Sequence, residues 1–269
     1  MPTPKTTAVH VPLVSPVALP RSHADERQFY VTMAYVCALV AFAGFIPTYW
    51  APVATQTFSG AAILHVHGLL FSAWPVLFIV QARFAVARRF EHHRSLGFAG
   101  ISLATAMLFA GIVVVIHQLS AGIAHGYEPQ VRAFSIVPLS IVLLFAALVA
   151  AAMANVRRPE VHMRLMLAAS ITILPPAIAR IVFLLAAPEG MAAPGQGMPP
   201  TVAFALAPTF LANGLLVIAM IHDWRKRGSV HSTYVMAGVF LVVVQIARIP
   251  FSESTTWLAI TNWLLRMGG

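Results

Sequence analysis

AAILHVHGLLFSAWPVLFIVQARFAVARR, residues 61–89, decides the fold. From Ala61 to Ala82 it holds no Asp, Glu, Lys or Arg. An α-helix needs about 20 such residues to cross the hydrocarbon of a bilayer, so the stretch predicts a transmembrane helix. Working outward, six more runs read the same way, at roughly 28–50, 96–120, 133–156, 161–187, 200–223 and 232–250. Only 9% of the 269 residues are charged, against roughly 25% in soluble domains. The expected fold class is therefore all-α, a polytopic membrane helix bundle of about seven transmembrane helices.

The flanks divide the chain further. Residues 1–27 are proline-rich without an apolar core, which predicts a disordered cytoplasmic tail rather than a signal peptide. Residues 28–250 form the seven-helix domain. Residues 251–269 include STTWLAITNWLLRM, too short to span and rich in tryptophan, which predicts a segment lying along the interface.

Three loops, RRFEHHR (88–94), RRPEVHMR (157–164) and DWRKRGSVH (223–231), share one side with the tail. The opposite loops, 51–60, 121–132 and 188–199, hold one basic residue, Arg132. The positive-inside rule makes the first side cytoplasmic, with the amino terminus inside and the carboxyl terminus outside, in a bacterial inner membrane. The formal charge of +9 sits in these short runs, which argues for topology and against nucleic-acid binding. The single cysteine, Cys37, excludes an intrachain disulfide, covalent c-type haem and thiolate zinc.

The basic loops also repeat. Arg88-Arg89-x-Glu91-x-His93 recurs as Arg157-Arg158-x-Glu160-x-His162 and, degraded, as Lys226-Arg227-x-Ser229-x-His231. The histidines are 69 residues apart each time (162 − 93 and 231 − 162). One reading is span 1 followed by three duplicated helical hairpins. The other is that basic loops and helix-start residues recur through topology alone.

Helical geometry sorts the polar residues. His67, Trp74, Gln81 and Arg88 are seven apart and form one stripe, because each residue turns the helix by 100°. His65 lies two residues from His67 and points nearly the opposite way, so HVH is not a chelating pair. The stripe predicts His67 inward and His65 toward lipid or headgroups. On span 3, His93, Gly97, Gly100, Ala104 and Gly111 form a small-residue seam. In span 5, Pro175-Pro176 predicts a kink. The polar residues then fall into two layers. The outer layer holds His67, His117, Arg180, Gln245 and Arg248, beside Tyr49 and Trp50. The inner layer holds His93, His162 and His231, with His92 and His222 at its edge. Asp and Glu fall only at the ends of the seven expected spans or in loops, Asp223 closing the sixth, so Arg180 and Arg248 lack an evident acidic partner within the membrane.

HVHGLLFSAWPVLFIVQ, HHRSLG, HMRLML and VHSTYVMAG together resemble a family of bacterial seven-span integral membrane proteins with no known activity, over about residues 28–267. The resemblance implies the fold but no substrate or site. From the residues themselves, the first functional reading is a redox or sensing protein binding haem b or a transition metal through His67, His117, His93, His162 and His231. The alternative is a transporter or binding protein for a small organic anion or an apolar molecule, contacted by Trp74, Gln81, Arg180, Gln245 and Arg248. A metal-dependent hydrolase is disfavoured by the lack of a carboxylate near the outer layer. The expected partners are the bilayer and, for the redox reading, an electron-transfer protein or a second copy of the chain.

Overall fold

The computed structural model describes residues 21–186 and 197–268, with side chains from residue 28 onward. The described chain is entirely helical. Span 1 is α1 (Arg21–Phe45), a π-helical turn (Ile46–Trp50) and α2 (Ala51–Ala54). Span 2 is α3 (Ala62–Val86) and span 3 is α4 (Phe90–Ala124). Span 4 is α5 (Glu128–Phe134) with α6 (Ile136–Ala154), and α7 (Pro159–Thr172) and α8 (Pro175–Ala186) follow as a bent pair. A short 3-10 turn (Ala203–Ala205) leads into α9 (Leu206–Arg227), then α10 (Ser232–Phe251) and α11 (Thr255–Gly268). Six helices are long and apolar enough to cross a membrane, and the α7–α8 pair supplies a seventh crossing if counted as one span.

Helix α1 begins at Arg21, inside the segment expected to be a disordered tail; residues 1–20 lie outside the described residues. The expected outer loop 188–199 is described only from residue 197. Helix α4 starts at Phe90 rather than 96, because the polar turn Glu91–Ser95 continues the helix beyond its apolar part. The 43° bend of span 5 falls where Pro175 and Pro176 supply no N–H and disfavour helical backbone in the residue before them.

In the interior α3 packs on both α4 and α1, α6 on both α7 and α4, and α8 on both α1 and α9. Tyr30, Trp74, Met107, Phe145, Leu167, Leu216 and Leu241 form the main core. Outside it Leu39, Leu69, Phe98, Phe109 and Leu184 lie exposed, an apolar surface suited to lipid. The small-residue seam of α4 serves two neighbours. Gly100 meets Leu77 of α3, whereas a Cβ on Gly111 would sit 2.7 Å from Val142 of α6. Helix α11 folds back on α4 and α5, burying Trp257 and Leu264 against Val115 and Ile136. Arg132 anchors it, donating to Thr261 Oγ1 and Asn262 Oδ1 at 2.9 Å, while Trp257 Nε1 donates to the Arg132 carbonyl at 2.7 Å.

Candidate functional site

At the basic-loop end, the second helix of each hairpin begins beside a histidine. His93 Nδ1 lies 3.2 Å from the Gln81 carbonyl of α3, and His162 Nδ1 lies 2.9 Å from the Ala152 carbonyl of α6. A carbonyl only accepts, so both rings carry their proton on Nδ1 and leave Nε2 as the lone-pair atom. Each imidazole thus ties its helix to the preceding one across the turn. The two rings are neighbours, 6.3 Å between centroids at 82°.

His231 differs. It caps α10, its Nδ1 accepting from the Thr233 backbone N–H at 3.2 Å. Its neutral form therefore carries the proton on Nε2, the opposite tautomer from His93 and His162. Burial and the nearby Arg164 and Arg227 push its imidazole below the ordinary histidine range, against the opposing pull of Asp223 and Glu160. His222 stacks flat on Phe29 at 3.8 Å, and His92 packs against Phe84.

Beneath these histidines lies a pair that the hydropathy reading does not reveal. Arg164 of α7 is fully buried and holds Asp223 of α9, itself 2% exposed, with Nε–Oδ2 of 2.9 Å and Nη2–Oδ1 of 2.7 Å. Arg164 also donates to the Glu160 carbonyl and sits over the Tyr234 ring. The Tyr30 and Tyr234 hydroxyls bond at 3.0 Å. The His231 backbone N–H closes the network on Asp223. Asp223 belongs to the last turns of a span, where the WRKR that follows it made it read as loop. Spans 1, 5, 6 and 7 thus converge on one buried, bidentate pair.

The far end is built differently, and its polar residues divide into two groups. In the first, Arg180 stands one turn after the start of α8, donating Nε to Thr48 Oγ1 and Nη1 to the Pro176 carbonyl, both at 2.9 Å, with its guanidinium 4.4 Å from the Phe45 ring centroid. Thr48 lies in the π-helical turn that ends span 1, an element often found at functional sites. His67 is within electrostatic range of Arg180 and stacks on Phe71 at 4.0 Å. Its Nδ1 is buried without a hydrogen-bond partner among the described residues. His65 is exposed on the other face, its Nδ1 3.2 Å from Tyr49 Oη, so the two histidines divide as the helical geometry requires.

In the second group Arg248 of α10, 3% exposed, donates to Thr209 Oγ1 at 3.0 Å and the Ala205 carbonyl at 3.4 Å, and its buried Nε has no partner among the described residues. Asn213 and Gln245 pair beside it at 2.7 Å. Trp74 is committed to the core, donating to Ser170 Oγ at 3.1 Å and meeting Phe145 edge-on. Gln81 gives its carbonyl to His93, while its buried Oε1 has no partner among the described residues. His117 is half-buried and touches neither group in any hydrogen bond or ring contact described. Of the five histidines expected to hold a cofactor, the structure brings only His93 and His162 together. Among the described residues no three His, Cys, Asp or Glu side chains gather as a metal site would require. Thr48, Thr209, Asn213 and Ser170 were missed because short polar side chains inside apolar runs carry no signal of their own. The chain matches no protein-family model, no curated protein and no solved structure.

Proposed function

We propose that this membrane protein, resident in a bacterial inner membrane, binds a small organic anion in its outer half, at the joint between span 1 and the bent span 5. The observation that carries the reading is Arg180: a guanidinium placed just past a proline-broken helix, beside His67 with its unsatisfied Nδ1. Broken helices at membrane depth are the usual place where transporters hold substrates, since freed backbone and cationic side chains replace water around a charged ligand. A carboxylate accepting from a His67 Nδ1–H beside the Arg180 guanidinium gives that nitrogen its partner and meets a positive charge. The alternative outer group around Arg248 has no such break beside it.

The test is thermal unfolding of the detergent-solubilised protein with a panel of mono- and dicarboxylates, followed by uptake of the best binder into proteoliposomes. At least one carboxylate should raise the unfolding midpoint of the parent protein and leave Arg180→Gln unmoved. Midpoints that no carboxylate shifts, or an Arg180→Gln protein that responds equally, would reject the anion reading. Uptake separates a transporter from a binding protein.

A second reading keeps a specific observation behind it. His93 and His162 both donate Nδ1–H to carbonyls and keep Nε2 as a ligand atom, the arrangement that orients metal-binding imidazoles, and two imidazoles are what a b-type haem takes. Purified protein with no visible absorbance and no bound metal rejects it; a haem spectrum lost in His162→Ala but kept in His67→Ala puts it first.

A further inference from the structure

A further cavity lies at the basic-loop end, lined by none of the residues of the Arg164–Asp223 pair. That cavity, about 590 Å³, lies between α1 and α3 at the basic-loop end, lined by Gln28, Val31, Tyr35, Arg83, Phe84, Val86, Ala87 and Arg89. Its walls are mostly apolar, and both of its described charged groups are guanidinium groups. Arg83, itself exposed, donates Nη1 to Tyr35 Oη at 2.9 Å, which holds the guanidinium against α1. Arg89 is exposed, and its side chain has no hydrogen bond among the described residues. The turn between α3 and α4 holds it there: Arg88 takes φ 58°, which reverses the chain and brings the Arg89 N–H onto the Phe84 carbonyl at 3.0 Å. Among the described residues no acidic side chain lines the groove.

We propose that this groove is a site for one anionic phospholipid of the cytoplasmic leaflet. The phosphodiester sits between Arg83 and Arg89, and the upper acyl chain lies on Val31, Phe84 and Val86. Position, charge and shape argue together. The groove is at the end whose loops carry the basic residues, where the leaflet surface is negative, and basic pockets between helices at that depth suit acidic headgroups. Its apolar walls suit an acyl chain and give a free phosphate nothing to contact. Arginine adds bidentate geometry toward phosphate oxygens. The inference is independent of the anion reading, because the groove is at the opposite end of the bundle from Arg180.

The test is native mass spectrometry of the intact chain in detergent, with phosphatidylglycerol and phosphatidylcholine titrated separately. The parent protein should bind one phosphatidylglycerol at least tenfold more tightly than phosphatidylcholine. Arg83→Gln/Arg89→Gln should lose about tenfold of that preference, following the contribution of each basic residue near a charged surface. Arg157→Gln/Arg158→Gln, which removes the same charge from another loop on the same side, should retain it. Inorganic phosphate at millimolar concentration should not displace the lipid. Equal losses in the two double variants, an unchanged Arg83→Gln/Arg89→Gln, or displacement by phosphate would overturn the proposal. If the double variant does not fold, Arg89→Gln alone carries the test, since Arg89 makes no described side-chain contact that the fold needs.

Discussion

The two ends of this bundle hold arginines in opposite ways. At the basic-loop end Arg164 is fully buried and meets Asp223 at 2.9 and 2.7 Å. At the far end Arg248 is almost as deeply buried, yet it meets only a hydroxyl and a carbonyl and keeps an orphaned Nε. A buried charge with its counter-charge is a structural fastening; the same charge without one is a standing cost that a fold keeps only for use. The difference lies in the two arginines: Arg164 with Asp223 fastens helices together, and Arg248 keeps one buried donor without a partner among the described residues.

The comparison breaks first at Asp223. Asp223→Asn leaves Arg164 buried and unpaired, and should lower unfolding stability by about 3–5 kcal/mol, read as a large fall in the thermal midpoint in detergent. The double variant Arg164→Met/Asp223→Leu should regain most of the loss. A single variant as stable as the parent would make the inner pair no fastening at all.

Arg248→Met should go the other way. With no anion present, exchanging the guanidinium for an apolar side chain of similar length should raise stability by about 1 kcal/mol, since it removes an uncompensated buried charge. A loss of stability comparable to that of Asp223→Asn would erase the distinction between the ends.

The smallest effect sharpens the comparison through pH. His231 has a folded-state imidazole below the ordinary value of 6.5. The unfolded chain therefore takes up the proton first. Stability should be full above about pH 6.5, decline as the pH falls through it, and level off below the folded-state value. Protonating Nδ1 also removes the acceptor for the Thr233 N–H, a cap worth about 1 kcal/mol. His231→Asn keeps a capping acceptor and removes the titration, so its stability should be flatter over the same range in parallel melts.

The apolar runs were legible because the bilayer imposes a length and a composition on every span, and HVH was legible because two residues on a helix cannot share a direction. The break in span 5 could be read from Pro175-Pro176 for the same local reason. The fastening could not. Arg164 and Asp223 are 59 residues apart on different helices, and hydropathy assigns Asp223 to the loop that follows it. The outer layer was read as one set, but sequence periodicity places residues by depth and face of their own helix. It says nothing of which neighbour each face meets, and so could not divide Arg180 and His67 from Arg248 and Gln245.

Gly44 of α1 lies against the backbone of Ala177 in α8, with no space for even one carbon between them. Three residues past Ala177, Arg180 grips Thr48 in the π-helical turn, four residues past Gly44. The two contacts clasp α8 to the end of span 1 at two points. Any swing of α8 drags the end of span 1 with it, and with that end Tyr49, whose ring covers Gly68 and whose hydroxyl holds His65. Pieces of three spans are thereby joined into one wedge at the end of the bundle away from the basic loops.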